Sequence, residues 1–266
     1  MQSGSDFTLR PYELVANQWR VLVALMLRDL KSRFFGSVFG HLVVIAWPLS
    51  HVLILLIVNI AAGRLVPYGD SGALWFATGV VPFMAFSYIA RFMMLGIVFN
   101  KPLLVFPQVK ITDILFARAV LEILNAGLVI VILCVMFWVY GINFVPIYPV
   151  QAFFALGACM LLGLGFGFVH SIIAVGFRPW ITGYALLNII MWITSGVFFV
   201  AHSLPEPIRY LESFNPIVQG IEWMRSAYYE GYGSGFLDKE YLIGFSLFSI
   251  CLGLLLERFI RGRLLQ

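Results

Sequence analysis

The sequence predicts an all-α integral membrane protein: six transmembrane helices preceded by an N-terminal helix lying in the membrane interface. Three observations carry that prediction. The chain of 266 residues is 61% hydrophobic and only 11% charged, against about 25% charged residues in soluble domains. Its mean hydropathy is +0.95. Its apolar residues are gathered into runs of about the 20 residues needed to cross the hydrocarbon of a bilayer, and its basic residues fall mainly on one side of those runs.

The six runs cover residues 38–62, 73–99, 114–140, 150–177, 181–200 and 241–260. Turn formers between 141 and 149 separate the third from the fourth. Arg178-Pro179 divides the fourth from the fifth, because proline lacks the amide donor and clashes with the preceding helical turn. Of the 17 Lys and Arg, all but Arg64, Arg209, Arg225 and Lys239 lie on the side of the two termini. The positive-inside preference makes that side cytoplasmic. The long fifth connection, with Glu206, Glu212, Glu222, Glu230, Asp238 and Glu240, is then external. Residues 11–35, PYELVANQWRVLVALMLRDLKSRFF, place Trp19, Leu22, Val23, Met26, Leu27 and Leu30 on an apolar face and Arg20, Arg28, Lys31 and Arg33 along a basic edge. That is the pattern of a helix lying on the cytoplasmic leaflet.

Several chemistries find no support. A net charge of +4 follows from basic membrane flanks and does not call for nucleic acid. Cys134, Cys159 and Cys251 fall inside apolar runs without disulfide or zinc spacing, and His41, His51, His170 and His202 are scattered, so no metal site is expected. No glycine-rich loop ends in Gly-Lys-Ser/Thr, so ATP and Mg would be held by another chain and no cofactor by this one. GLGFG at 163–167 lies inside an apolar run, where small residues serve close helix packing. No set of catalytic residues is visible. The N-terminus lacks the short apolar core and small-residue cleavage site of a signal peptide.

Three regions stand out as candidate sites. Arg91 lies ten residues before Lys101, about 15 Å inside the second run at helical rise. A charge there either snorkels or pairs with Glu122, or lines a path for an anionic substrate. Trp47, Trp75, Tyr88, Trp192, Trp223 and Tyr228 are aromatic candidates for stacking on sugar rings, since ring faces suit sugars as well as membrane interfaces; Trp47, Tyr88 and Trp192 are placed with Arg91 on the path. In the second connection, Pro102 and Pro107 bracket the apolar turn from Leu103 to Phe106, followed by Lys110 and Asp113, with Thr112 or Asp113 as the cap of the next span. A solvated loop does not need exposed apolar residues; a short helix docking into a partner's groove does. In SFNPIVQGIEWMRSAYYEGY, 213–232, Asn215 reads as an N-cap with Pro216 at the first helical position. Ile217, Ile221, Met224 and Tyr228 recur at helical spacing, and Glu222 and Arg225 stand three apart, near enough to pair. This helix is too polar to span a bilayer.

The order of these segments resembles the membrane subunit of type-2 ABC exporters, in the branch that exports capsular polysaccharide and related lipid-linked glycans. LRDLKSRFFGSVFGHLVVIAWPL (27–49), NKPLLVFPQVKITDILFAR (100–118), NPIVQGIEWMRSAYY (215–229) and ERFIRGRLL (257–265) carry the likeness, which covers essentially the whole chain. His41-Leu42 departs from the aromatic-Leu-Trp step of that pattern. The resemblance implies a single transmembrane domain over 1–266, with an interfacial helix at 11–35, a cytoplasmic coupling loop at 100–113 and external re-entrant helices at 201–232. It implies a multi-pass protein of the bacterial inner membrane, paired with a second copy of itself and with two ABC ATPase subunits. A periplasmic adaptor and an outer-membrane exporter would continue the path of a lipid-linked polysaccharide. Pro102, Leu103, Phe106, Pro107, Lys110 and Asp113 would couple to the ATPase. Arg28, Lys31 and Arg33 would form the cytoplasmic entrance, and Asn215, Pro216, Glu222, Trp223, Arg225 and Tyr228 an external gate. The same fold serves exporters of O-antigen or teichoic acid and efflux of small hydrophobic compounds. A membrane scaffold without transport is the reading from a different class.

Overall fold

The computed structural model describes residues 11–33, 38–63, 66–233 and 235–264. Among them the architecture is entirely helical: α1 (Pro11–Arg33), α2 (Val38–Ala61), α3 (Gly72–Asn100), α4 (Ile111–Val139), α5 (Pro149–Gly176), α6 (Trp180–Thr194), α7 (Glu206–Ser213), α8 (Pro216–Tyr228) and α9 (Lys239–Leu264). Short 3₁₀ turns at Lys101–Val105 and Ala201–Ser203 lie in the connections.

α3, α4, α5 and α9 are long and apolar enough to cross a membrane; α2, over Ile45–Ala61, and α6 are shorter apolar helices. α3 is the central element and packs against α2, α4, α5, α6 and α8. Its Phe83, Phe86, Ile89, Ala90, Met93 and Met94 are all buried. α5 lies between α3 and α9, and the sequence GLGFG explains how. A Cβ on Gly163 would stand 2.8 Å from the Phe86 carbonyl, one on Gly165 2.7 Å from Ser249, and one on Gly167 2.6 Å from Met93. The missing side chains let three helix backbones approach closely, the packing expected where lipid supplies no hydrophobic drive between helices.

α2 and α6 run antiparallel to α3, whereas α5 runs parallel to it, with Gly163 against Phe86 and Gly167 against Met93. His51 of α2 meets Tyr88 of α3, and Ser87 of α3 meets Asn188 of α6. Thus α1, the Lys101–Val105 turn and the α5–α6 turn gather at one end of the bundle. The α7–α8 segment closes the other end, where the Tyr148 amide ahead of α5 donates to the Ala227 carbonyl.

Three expectations change here. The fifth run, 181–200, is helical only to Thr194. Those 15 residues rise about 22 Å, and Gly196, at φ 81°, turns the chain away from the helix. The physical cause is a competing donor: the carbonyls of Gly196, Val197 and Phe199 accept from the Arg225 guanidinium. Second, α8, whose sequence marks one apolar stripe, is instead buried over every residue from Pro216 to Arg225, among α3, α5 and α9. Third, α1 docks on α4, and its expected apolar face is divided. Leu22, Met26 and the unforeseen Leu25 pack against Ile114 and Ala117, while Trp19 and Leu27 stay exposed. Buried Asp29 pairs with Arg118 of α4, which fixes the side that α1 turns inward. Residues 34 and 35 of the expected interfacial helix lie outside the described residues.

The glycine contacts make a direct prediction. Gly163→Leu is expected to lower the thermal midpoint of the purified protein in detergent, at a cost of about 1–3 kcal/mol for overpacking. Gly157→Leu, where a Cβ meets nothing within 4 Å, is expected to leave it unchanged.

Candidate functional site

The first candidate region is a groove. α2, α3 and α6 enclose about 610 Å³ lined by Trp47, His51, Tyr88, Arg91, Asn188 and Trp192, among others. It brings together all four residues expected along a path. Arg91 is exposed on the groove side of α3, and no ion pair joins it to Glu122, which is buried behind Tyr88 in a small neighbouring pocket. Trp47 is 61% exposed and meets His51 edge to face at 5.2 Å. The His51 ring nitrogen Nδ1 lies 2.9 Å from the Tyr88 hydroxyl, and Ser87 donates to Asn188 at 2.9 Å. Trp192 packs its edge on Phe83 at 4.4 Å. Aromatic faces, two fixed polar pairs and one guanidinium therefore share a single concave surface. His51, Ser87 and Asn188 were not singled out from sequence; a period of one helical turn from Trp47 to His51, and from Ser87 to Arg91, is the signal that joins them to the group.

The second region is the cap built around α8. Asn215 does cap it, accepting from the Ile217 amide at 3.3 Å, and its amide nitrogen donates to Thr194 Oγ1 at 3.1 Å. This ties the start of α8 to the end of α6. Glu222 and Arg225 do not pair with each other. Arg225 donates from Nη1 to Gly196 O at 2.7 Å and Phe199 O at 3.0 Å, and from Nη2 to Val197 O at 2.9 Å. Its guanidinium carbon lies 3.9 Å from the centre of the Trp75 ring. Gly79, one turn along α3, leaves the space: a Cβ there would be 2.9 Å from Nη2. Glu222 instead accepts from the Tyr232 hydroxyl at 2.7 Å and meets His202 Nδ1 at 3.3 Å. Burial pushes the Tyr232 phenol up, so it stays protonated and donates. His202 Nε2 in turn reaches the Tyr68 hydroxyl at 3.3 Å. Tyr68, His202 and Tyr232 carry no sequence pattern that would have flagged them, since they come from three separate connections.

Trp223 and Tyr228 were expected to face the mouth of a path. Trp223 is buried, donates to Gln151 of α5 at 2.8 Å and lies under the Lys239 ammonium. Tyr228 turns the other way, into a crevice between α4 and α5. The reason is geometric: α8 is surrounded, so its aromatic positions pack against helices on all sides.

The third region is the turn between α3 and α4. Val105, 82% exposed, and Phe106, 59% exposed, project from it beside exposed Lys101, Pro102, Pro107 and Lys110. Leu103 turns inward onto the α1–α4 packing. Asp113 is buried; it accepts from the Lys110 amide at 2.9 Å and from Gln18 of α1. It therefore holds the turn in place and does not present itself to a partner. Val105 was missed because a lone valine in an apolar turn has no distinguishing signal. Arg28 donates to Asn100 at the end of α3 at 3.0 Å, Lys31 is exposed, and the side chain of Arg33 lies outside the described residues.

Among the described residues no group of His, Cys, Asp and Glu could hold a metal ion. The apolar helices and the mid-span groove define a class: a helical, multi-pass membrane protein with the build of a permease. No family model matches the chain. It is 30% identical over 88% of its length to the polysialic acid transport protein KpsM of Escherichia coli, covering 91% of that protein. It is 27% identical to the capsule polysaccharide export inner-membrane protein CtrC of Neisseria meningitidis serogroup A, over 92% of this chain and 93% of CtrC. The corresponding protein BexB of Haemophilus influenzae is 24% identical over 97% of both chains. The chain belongs to this family of capsule polysaccharide export inner-membrane ABC permeases.

The Arg225 network yields a prediction. Arg225→Met is expected to strand the carbonyls of Gly196, Val197 and Phe199, at about 1–3 kcal/mol for each buried acceptor left unmade, read as a collapse of folded yield and thermal midpoint. Arg225→Lys keeps the charge but not the planar fork that reaches three carbonyls, and its midpoint is expected to fall between the two.

Proposed function

We propose that this chain is the membrane permease of an ATP-driven exporter. It moves an anionic, lipid-linked capsular polysaccharide across the bacterial inner membrane, as a homodimer with two separate ATPase subunits. The observation that carries this reading is the groove: it sets Arg91 among the rings of Trp47, Tyr88 and Trp192 partway along the span. Ring faces offer apolar area to sugar rings with little rotamer freedom to lose, while a guanidinium offers fork geometry to a carboxylate or phosphate. Kinship with a polysialic acid transport protein supports the same substrate class.

In this reading α2 to α6 and α9 make six crossings, and both termini are cytoplasmic. The excess of Lys and Arg on that side supports the orientation. α1 lies along the inner leaflet, and the basic residues Arg28, Lys31 and Arg33 draw the anionic polymer to a cytoplasmic entrance. α7 and α8 form the external re-entrant pair, and Asn215, Pro216, Glu222, Trp223, Arg225 and Tyr228 belong to a gate that moves as one buried unit. Pro102, Phe106, Pro107 and Lys110, with Val105 added, form the surface that enters the ATPase groove. Leu103 and Asp113 set its shape. ATP and Mg are bound by the ATPase, and a periplasmic adaptor and outer-membrane exporter continue the path.

Two experiments test it. Val105→Asp and Phe106→Asp are expected to weaken co-purification of the ATPase by about tenfold or more, equivalent to ~1.4 kcal/mol of lost binding, and to trap polymer inside the cell. Retained ATPase with normal surface polymer would reject coupling through this turn. Arg91→Gln is expected to cut surface polymer, stained with a polymer-specific antibody, while ATPase binding and protein level stay at wild type. Undiminished surface polymer would take Arg91 out of the path.

A further inference from the structure

A second concave site lies away from the groove. α4 and α5 each pack on α3 but barely touch one another, so a crevice of about 180 Å³ opens between them. Its walls include Pro82 of α3, Leu133 and Phe137 of α4, and Leu156 of α5, and its roof is Met224 and Tyr228 of α8. No charged side chain lines it. A dry apolar cavity of about 150 Å³ is already large enough for a benzene-sized guest, and such cavities do not fill with water.

We infer that this crevice is a binding site for one acyl chain of a bilayer phospholipid. Its position identifies the occupant. Phe153 at its edge is 73% exposed, and the flank on which it opens carries Val131, Val135 and Phe154, all exposed. In a membrane-spanning bundle such a flank faces hydrocarbon. The deepest α4 residue of the lining, Ile130, lies nine positions before the helix end at Val139, about 13 Å at helical rise. At that end Trp138, Tyr140 and Tyr148 are exposed, forming the kind of aromatic belt that sits at headgroup level. A phospholipid whose headgroup rests on this belt delivers its acyl chain straight down into the crevice. The bound chain then props Met224 and Tyr228, so that lipid supports α8, the helix that carries Glu222 and Arg225.

The test uses the full-length protein purified from cells that make no polymer. It is placed in nanodiscs of phosphatidylethanolamine containing a fraction of phospholipid with a diazirine on one acyl chain. After illumination, adducts are mapped by mass spectrometry. Adducts at Leu133, Phe137 and Leu156 are expected to exceed those at Leu247 and Phe248, on the exposed face of α9. Ala152→Leu and, independently, Cys134→Phe fill the crevice; each is expected to reduce crevice adducts to the α9 level without changing the α9 adducts. Equal labelling of the two surfaces in the wild-type protein overturns the inference, as does undiminished crevice labelling in a folded filling variant. So does crevice labelling that disappears when protein from polymer-making cells brings its own glycolipid, which assigns the site to the substrate's lipid end.

Discussion

A guanidinium with no access to solvent organises one whole end of this molecule. Arg225 is fully buried, and a charge in that position is tolerable only when its donors are occupied and its surroundings polar. The chain meets that demand at both terminal nitrogens with backbone carbonyls, taken from the segment that would otherwise have extended α6. The shortness of α6, the left-handed turn at Gly196 and the absence of a side chain at Gly79 are all consequences of seating this one group. The ring of Trp75 closes the remaining side by a cation–π contact. Glu222 is also buried in this cap; its partners are Tyr232 after α8 and His202 after α6, and Tyr68, before α3, stands behind His202. The cap is thus a polar network inserted between apolar helices, in which both terminal nitrogens of Arg225 are bonded and its Nε is buried without a hydrogen-bond partner.

At the opposite end the same economy of polar groups fixes α1. Arg28 to Asn100, Gln18 to Asp113 and Asp29 to Arg118 attach it to the ends of α3 and α4. Those contacts flank the turn that displays Val105 and Phe106. A mobile turn would lose conformational entropy on meeting a partner, whereas this one is held beforehand by Asp113 and by Leu103 beneath it. α3 runs from that turn to the other end of the bundle, where its Trp75 lies against Arg225.

Between the two ends, the helices differ in how tightly they are held. α3, α5 and α9 interlock through glycines at backbone distance, whereas α2 and α6 lie on the outside and expose Ile54, Ile57, Leu186, Ile189 and Ile193. The groove lies between the interlocked core and these two outer helices, so a relative movement of α2 or α6 would change its width without disturbing the core.

By itself the sequence determined the class and most of the helices, because membrane insertion leaves its mark in local composition: run length, proline and glycine breaks, and the side on which lysine and arginine fall. It also marked Arg91, conspicuous as a charge within an apolar run, but in a chain that is 16% aromatic it did not decide which rings would join it. Only the tertiary structure decided where the fifth run stops being helical, which face α1 turns inward, and that Glu222 and Arg225 serve different partners despite standing one turn apart. Each of those outcomes depends on a polar group finding an acceptor far away in the chain: Arg225 at Gly196, Asp29 at Arg118, Glu222 at Tyr232 and His202. Local spacing shows which groups could bond to near neighbours. It does not show which distant partner will outcompete them once both are buried, and burial is what makes that competition decisive.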